Sequence, residues 1–207
     1  METNMRSYAE TVNFRGAIIK KLADRRLDLC DGSGLGFWPV PVMGPVILAK
    51  CIFLLHDEWL NQIKLGEYNT ANQLSEVRTR LTQIVAEGDL GEDHAGMYIK
   101  EYPAVKDVQM ETLPFFKVCQ SILKEDDPFI LLGFIYNVET GSLEAIKTLV
   151  KTNMISNGNF AQLHLVEEIE HEKLANEIKT IIFQSPYKWR FIQGCDLHDR
   201  LYEEMVR

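Results

Sequence analysis

Apolar residues recur at roughly helical spacing through most of the chain. The first run, Tyr8, Val12, Ile18, Ile19 and Leu22, predicts an amphipathic helix from Met5 to about Cys30 that stops at Asp31-Gly-Ser-Gly. The next fourteen residues, Gly32 to Pro45, hold four glycines and three prolines together with Phe37 and Trp38, and this density of helix breakers predicts irregular chain. An aromatic loop of that length either covers a cavity or seals the core. Helical spacing resumes from Val46 to about Leu65 and from Asn72 to about Tyr98, and Pro103 marks a break. Further helices are predicted over Glu111 to Lys124, over Pro128 to Asn153 with Pro128 in the first turn, over Asn159 to Phe183, and from Tyr187 to the C-terminus. Asn157-Gly158 reads as a helix-to-helix turn, because no alternating runs flank it. Strands, internal repeats and low-complexity segments are not signalled. The pattern predicts an all-α bundle of about seven helices, and 207 residues fit a single domain spanning 1–207.

Composition narrows the class. A hydrophobic fraction of 46% and a charged fraction of 25% are those of a packed globular chain rather than a disordered or membrane-embedded one. The net charge of -8 argues against a nucleic-acid partner, since phosphate binding draws on clustered Lys and Arg. The nearest basic run, Lys20, Lys21, Arg25 and Arg26, fits a solvated helix face. Cys30, Cys51, Cys119 and Cys195 lie far apart without a Cys-x-x-Cys pair, so they read as thiols of a reducing cytoplasm. No export signal is evident. The most apolar stretch, Val40 to Leu55, is interrupted by Pro41, Gly44, Pro45 and Lys50, which argues against a membrane span.

The candidate chemistry lies in three places. In Phe160-Ala-Gln-Leu-His164-Leu-Val-Glu167-Glu168-Ile-Glu170-His171-Glu172, Glu168 stands about 40° and His171 about 20° from the direction of His164, at about 100° per helical residue. One face therefore presents imidazole, carboxylate and imidazole over two turns, a metal-gripping stripe. The alternative is an acidic helix that happens to carry two histidines, with Glu167, Glu170 and Glu172 simply solvated. Glu87 and His94 are seven residues apart and share a face if the helix continues, although Gly88 and Gly91 between them each cost about 1 kcal/mol in a helix. A loop ending the helix is the competing reading. Glu139 sits in a mostly apolar helix, where a buried carboxylate needs a cation, hydrogen bonds or a proton. Together these supply three imidazoles and three carboxylates, a mixed nitrogen and oxygen set that suits iron or manganese better than a closed structural zinc site.

Only one Glu-x-x-His motif is present, ending at His171, whereas the ferritin-like carboxylate bundles use two. The order Glu-x6-His, a lone Glu, then His-x3-Glu-x2-His resembles instead the haem-oxygenase-like di-iron oxidases and oxygenases, relatives of the thiaminase-like and CADD-like proteins. The likeness spans about half the chain. It implies a haem-oxygenase-like bundle with Glu87, His94, Glu139, His164, Glu168 and His171 as ligands to two irons, with manganese as the alternative metal. Glu139-Thr-Gly-Ser, a glutamate followed by a small-residue turn, and Phe160 ahead of the third ligand helix agree with it. Glu168 stands where such proteins most often have aspartate, and the stretches between ligands are short.

By that resemblance the protein is an O2-dependent oxidoreductase of a biosynthetic pathway. It would desaturate, N-oxygenate or cleave a small amino-acid-derived or carboxylate substrate, with an external electron donor and a homodimer both compatible. Phe37, Trp38, Phe115, Phe116, Phe134 and Tyr136 either line an apolar cavity or pack the core. Tyr136, one turn before Glu139, is a candidate catalytic donor or radical site, with a structural tyrosine as the alternative. His56 and His198 read as structural or surface residues. Two further readings stay open: a metal-free thiaminase-like hydrolase or cofactorless oxidase, for which Cys119 and Cys51 are poor nucleophile candidates without an adjacent histidine, and a non-catalytic helical interaction protein.

Overall fold

Leu74, Val77, Leu81 and Ile84 follow the three- and four-residue spacing of a helix, and all four are buried. They form the inner stripe of one of seven α-helices among the described residues of the computed structural model. That model describes residues 39–56, 68–89, 94–107, 109, 114–153 and 155–205. The helices are α1 (Pro39–Leu54), α2 (Tyr68–Asp89), α3 (His94–Glu101), α4 (Pro114–Ile122), α5 (Pro128–Lys151), α6 (Asn159–Phe183) and α7 (Lys188–Met205). A 3-10 turn, Pro103–Asp107, follows α3, and no strand occurs among the described residues. The chain is therefore the expected all-α bundle. The helix expected over Met5 to Cys30 lies outside the described residues.

Two expectations are corrected. The stretch ending at Pro45 is not irregular throughout, because α1 already begins at Pro39. Pro39 and Pro41 fall in the first turn, where backbone N–H groups have no intrahelical partner, so only Pro45 removes a helical hydrogen bond. The stretch Asn72 to Tyr98 is not described as one helix either: α2 ends at Asp89 and α3 begins at His94, with residues 90–93 outside the described set. Gly88 in the last turn of α2 is consistent with that end.

The core is organised around α5, which packs against α7, α6 and α1. Asp127 caps it by accepting from the Phe129 N–H at 2.9 Å, with Pro128 in the first turn. At the other end Asn153 adopts φ 58°, the left-handed conformation that stops a helix. Alone among the described helices, α5 is long and apolar enough to cross a membrane; here it is the central helix of the bundle and mostly buried. Its contact with α7 is built on two glycines, since a Cβ on Gly133 would strike the Phe191 carbonyl and one on Gly194 the Ile130 carbonyl. Asn137 bridges the same seam, donating to the Cys195 carbonyl at 2.9 Å and to Asp199 at 3.2 Å.

The start of α6 is set by α3. The Glu101 carboxylate accepts from the Phe160 N–H at 3.0 Å and from the Ser156 hydroxyl, and the Tyr102 hydroxyl receives the Ser156 N–H at 2.7 Å. An anion here meets unpaired N–H groups and the positive end of the helix. Glu101→Ala is expected to destabilise the protein by about 1 kcal/mol, readable as a lowered urea midpoint with unchanged slope.

Candidate metal centre

Because Glu101 fixes α3 at the head of α6, the two helices run antiparallel, and successive residues of one meet successive residues of the other. Tyr98 packs edge-on against Phe160 at 4.7 Å between ring centroids. Phe160 lies 4.1 Å from the His164 ring and His94 lies 4.7 Å from it. His94 is thus delivered to the ligand stripe of α6 by a ladder of rings.

The stripe itself is buried: His164, Glu168 and His171 are 9%, 6% and 6% exposed. From α5, Glu139 reaches His171, with Oε2 3.3 Å from Nδ1, and Glu168 Oε2 is 3.8 Å from the same nitrogen. The donor atoms of Glu139, Glu168 and His171 all lie within 4.8 Å of one another. Ligands about 2.1 Å from one octahedral cation stand about 3.0 Å apart when adjacent and about 4.2 Å when opposite, a range that includes the 3.3 and 3.8 Å separations. Glu168 Oε2 is buried without a hydrogen-bond partner, an atom that a cation would satisfy. The donor set therefore fits a divalent metal.

Electrostatics point the same way. Burial, then Glu139, Glu167 and Glu172 in turn, push the Glu168 carboxyl well above its ordinary range. Burial pushes His164 down to about 4, an effect opposed by its hydrogen bond to Phe160 and reinforced by His94 and His171. His164 Nδ1 lies 2.8 Å from the Phe160 carbonyl, which a ring N–H satisfies as donor. That tautomer leaves the Nε2 lone pair for a ligand. The lowered value fixes a pH dependence. Folding disfavours the protonated ring, so its contribution is complete above about 6.5 and is lost as pH falls toward 4. The stability difference between metal-free wild type and His164→Asn should shrink by about 3 kcal/mol across that window, followed by urea unfolding at several pH values.

Five of the six expected ligands, His94, Glu139, His164, Glu168 and His171, are gathered around this one stretch of α6. Glu87 falls in the last turn of α2, and its side chain is outside the described residues. The small residues after Glu139 lie within α5, with Thr140 and Ser142 hydroxyls bonded to the carbonyls of Tyr136 and Val138. Glu167, which is outside the expected ligand set, faces His94, Oε2 to Nε2 at 3.6 Å with that oxygen buried, so it is not the solvated charge of the acidic-helix alternative. At about 60° from His164 around the helix it falls on the edge of the same stripe.

The Tyr136 hydroxyl donates to Asn176 Oδ1 at 3.3 Å and receives Lys179 Nζ at 3.2 Å, partners that lie beyond His171 along α6. Phe134 packs on the His198 ring and Tyr136 on Phe191, while Phe116 packs against the core cluster. Phe37 and Trp38, like the Phe115 side chain, lie outside the described residues. Cys51 and Cys119 are buried, with both thiols pushed up, Cys119 to about 12, and Cys195 is buried against the Gly133 carbonyl. Thiols so held are not nucleophiles. Cys30 lies outside the described residues. Compared with known family models, with curated proteins and with solved structures, the chain matches none.

Proposed function

We propose that this chain is a non-haem di-iron oxidoreductase of the haem-oxygenase-like kind, using O2 to oxidise or cleave a small amino-acid-derived or carboxylate substrate. The observation that carries this reading is the buried meeting of Glu139, Glu168 and His171 from two helices, with an unpartnered carboxylate oxygen at its centre. Unpaired buried carboxylates are costly, and a chain that merely needed a packed core would have apolar residues there.

Bound as a ferrous pair, iron would supply the electrons that O2 chemistry requires. The chain's own residues do the rest. His164 stays neutral at physiological pH, so its lone pair needs no deprotonation to engage. Glu139 and His171 hold each other's orientation across the α5–α6 seam. Burial and the neighbouring carboxylates favour the protonated form of Glu168, whereas a cation needs the carboxylate, so metal binding should tighten as pH rises. Phe160 and Tyr98 close one side of the cluster against water. The buried thiols give the alternative of a cysteine hydrolase no support among the described residues.

The test is oxygen uptake. Protein loaded anaerobically with ferrous iron is expected to consume O2 faster than the same iron in buffer, and Glu139→Ala is expected to bring the rate back to the buffer value. Uptake no faster than free iron would contradict the oxidase reading.

A further inference from the structure

Glu167 and His94 form a second pair of donors, brought together by α6 and α3 rather than by α6 and α5. Their facing atoms, Glu167 Oε2 and His94 Nε2, are both buried and both without a hydrogen-bond partner. At 3.6 Å they are too far apart to bond to each other, yet within the spacing of two ligands on one cation. The His164 ring lies against His94, and with Nδ1 turned to the Phe160 carbonyl its Nε2 is the ring nitrogen left for a ligand. Glu101 and the aromatic ladder hold α3 so that this meeting is part of the fold rather than a chance approach of a surface side chain.

We infer that Glu167 is a metal ligand, completing with His94 and His164 a second cation position beside that of Glu139, Glu168 and His171. This rests on the proposed function, which requires two metals but does not assign Glu167 to either. The three donor atoms of the second position do not all lie within the 4.8 Å that unites the first. Ion capture therefore requires a side-chain rotation that brings the Glu167 carboxylate and the two rings together. Consecutive glutamates then have separate roles. Glu168 points down the stripe toward His171, and Glu167, about 100° around the helix, points toward α3.

The test uses manganese(II), counted by elemental analysis and read by electron paramagnetic resonance. Wild type is expected to bind about two ions per chain with the broadened signal of a coupled pair. Glu167→Gln and, independently, His94→Gln should each bind one, with the six-line signal of an isolated ion. Glu170→Gln, on the exposed face of α6 in a pair with Lys173, should bind two. Circular dichroism checks that each variant is folded, and Glu167→Ala, read the same way, decides the matter if Glu167→Gln is not. Two coupled ions retained by folded Glu167→Gln, or a wild type that binds only one, would overturn the assignment of Glu167 while leaving the first position standing. A wild type that binds none would overturn both.

Discussion

Glu168→Gln is expected to yield a protein that no longer holds a cation between Glu139 and His171 and yet, free of metal, melts above wild type. Glu168 is 6% exposed, and its carboxyl is pushed up first by burial and then by Glu139, Glu167 and Glu172. A carboxyl raised in the folded state contributes its full stability below the ordinary value of 4.5 and loses it as pH rises through the folded value. Glutamine mimics the protonated form at every pH. The variant's advantage should therefore be absent below pH 4.5 and grow above it, reaching about 2 kcal/mol at neutral pH, the scale on which a buried, incompletely bonded polar group destabilises a fold. For a chain of this size that is a rise of about 4–8 °C in Tm. In the presence of metal the order reverses, because ligand binding stabilises only wild type. A variant less stable than wild type at every pH would show that Glu168 serves the packing of the core and not a cation.

Gly194→Val is expected to have the largest effect on folding among the described positions. Replacing a helical glycine gains up to about 1 kcal/mol in propensity with alanine and less with a β-branched residue. Against this, the new Cβ meets the Ile130 carbonyl, a backbone atom that cannot swing aside. Separating α7 from α5 opens the most extensive helix pairing in the bundle, so the net loss is about 3 kcal/mol or more. Gly133→Ala acts on the same seam through the Phe191 carbonyl, so the double variant should lose less than the sum of the two. Since α5 also carries Glu139, either change should weaken metal binding without touching a ligand. Urea unfolding of the single and double variants, with metal titrations alongside, checks both statements.

Where the hydrophobic rhythm was strong, the sequence could be read to the residue. Helix α6 spans Asn159–Phe183 as the pattern indicates, and α5 begins at Pro128 because Asp127 caps it. The ligand stripe of α6 was legible because helical geometry alone puts His164, Glu168 and His171 on one face. The contribution of α3 was not. The expected continuous helix into Tyr98 gives way to two described helices, and what brings His94 to His164 is a long-range contact, Glu101 on the first turn of α6. No local pattern encodes a partner fifty-nine residues away. Glu167 was missed for a related reason. Its surroundings are supplied by α3, and on the helix alone it looks like one more charge in an acidic run. The prolines of α1 misled in the other direction, because breaker composition does not reveal that the first turn of a helix tolerates them.

Whether Glu139, Glu168 and His171 are the shell of a cation is decided by anomalous diffraction at the iron edge, from crystals grown anaerobically with ferrous iron. A peak is expected about 2.1 Å from a donor atom of each of the three side chains. A direct Glu139–His171 pair persisting at saturating iron, with no peak between the two residues, would contradict that assignment.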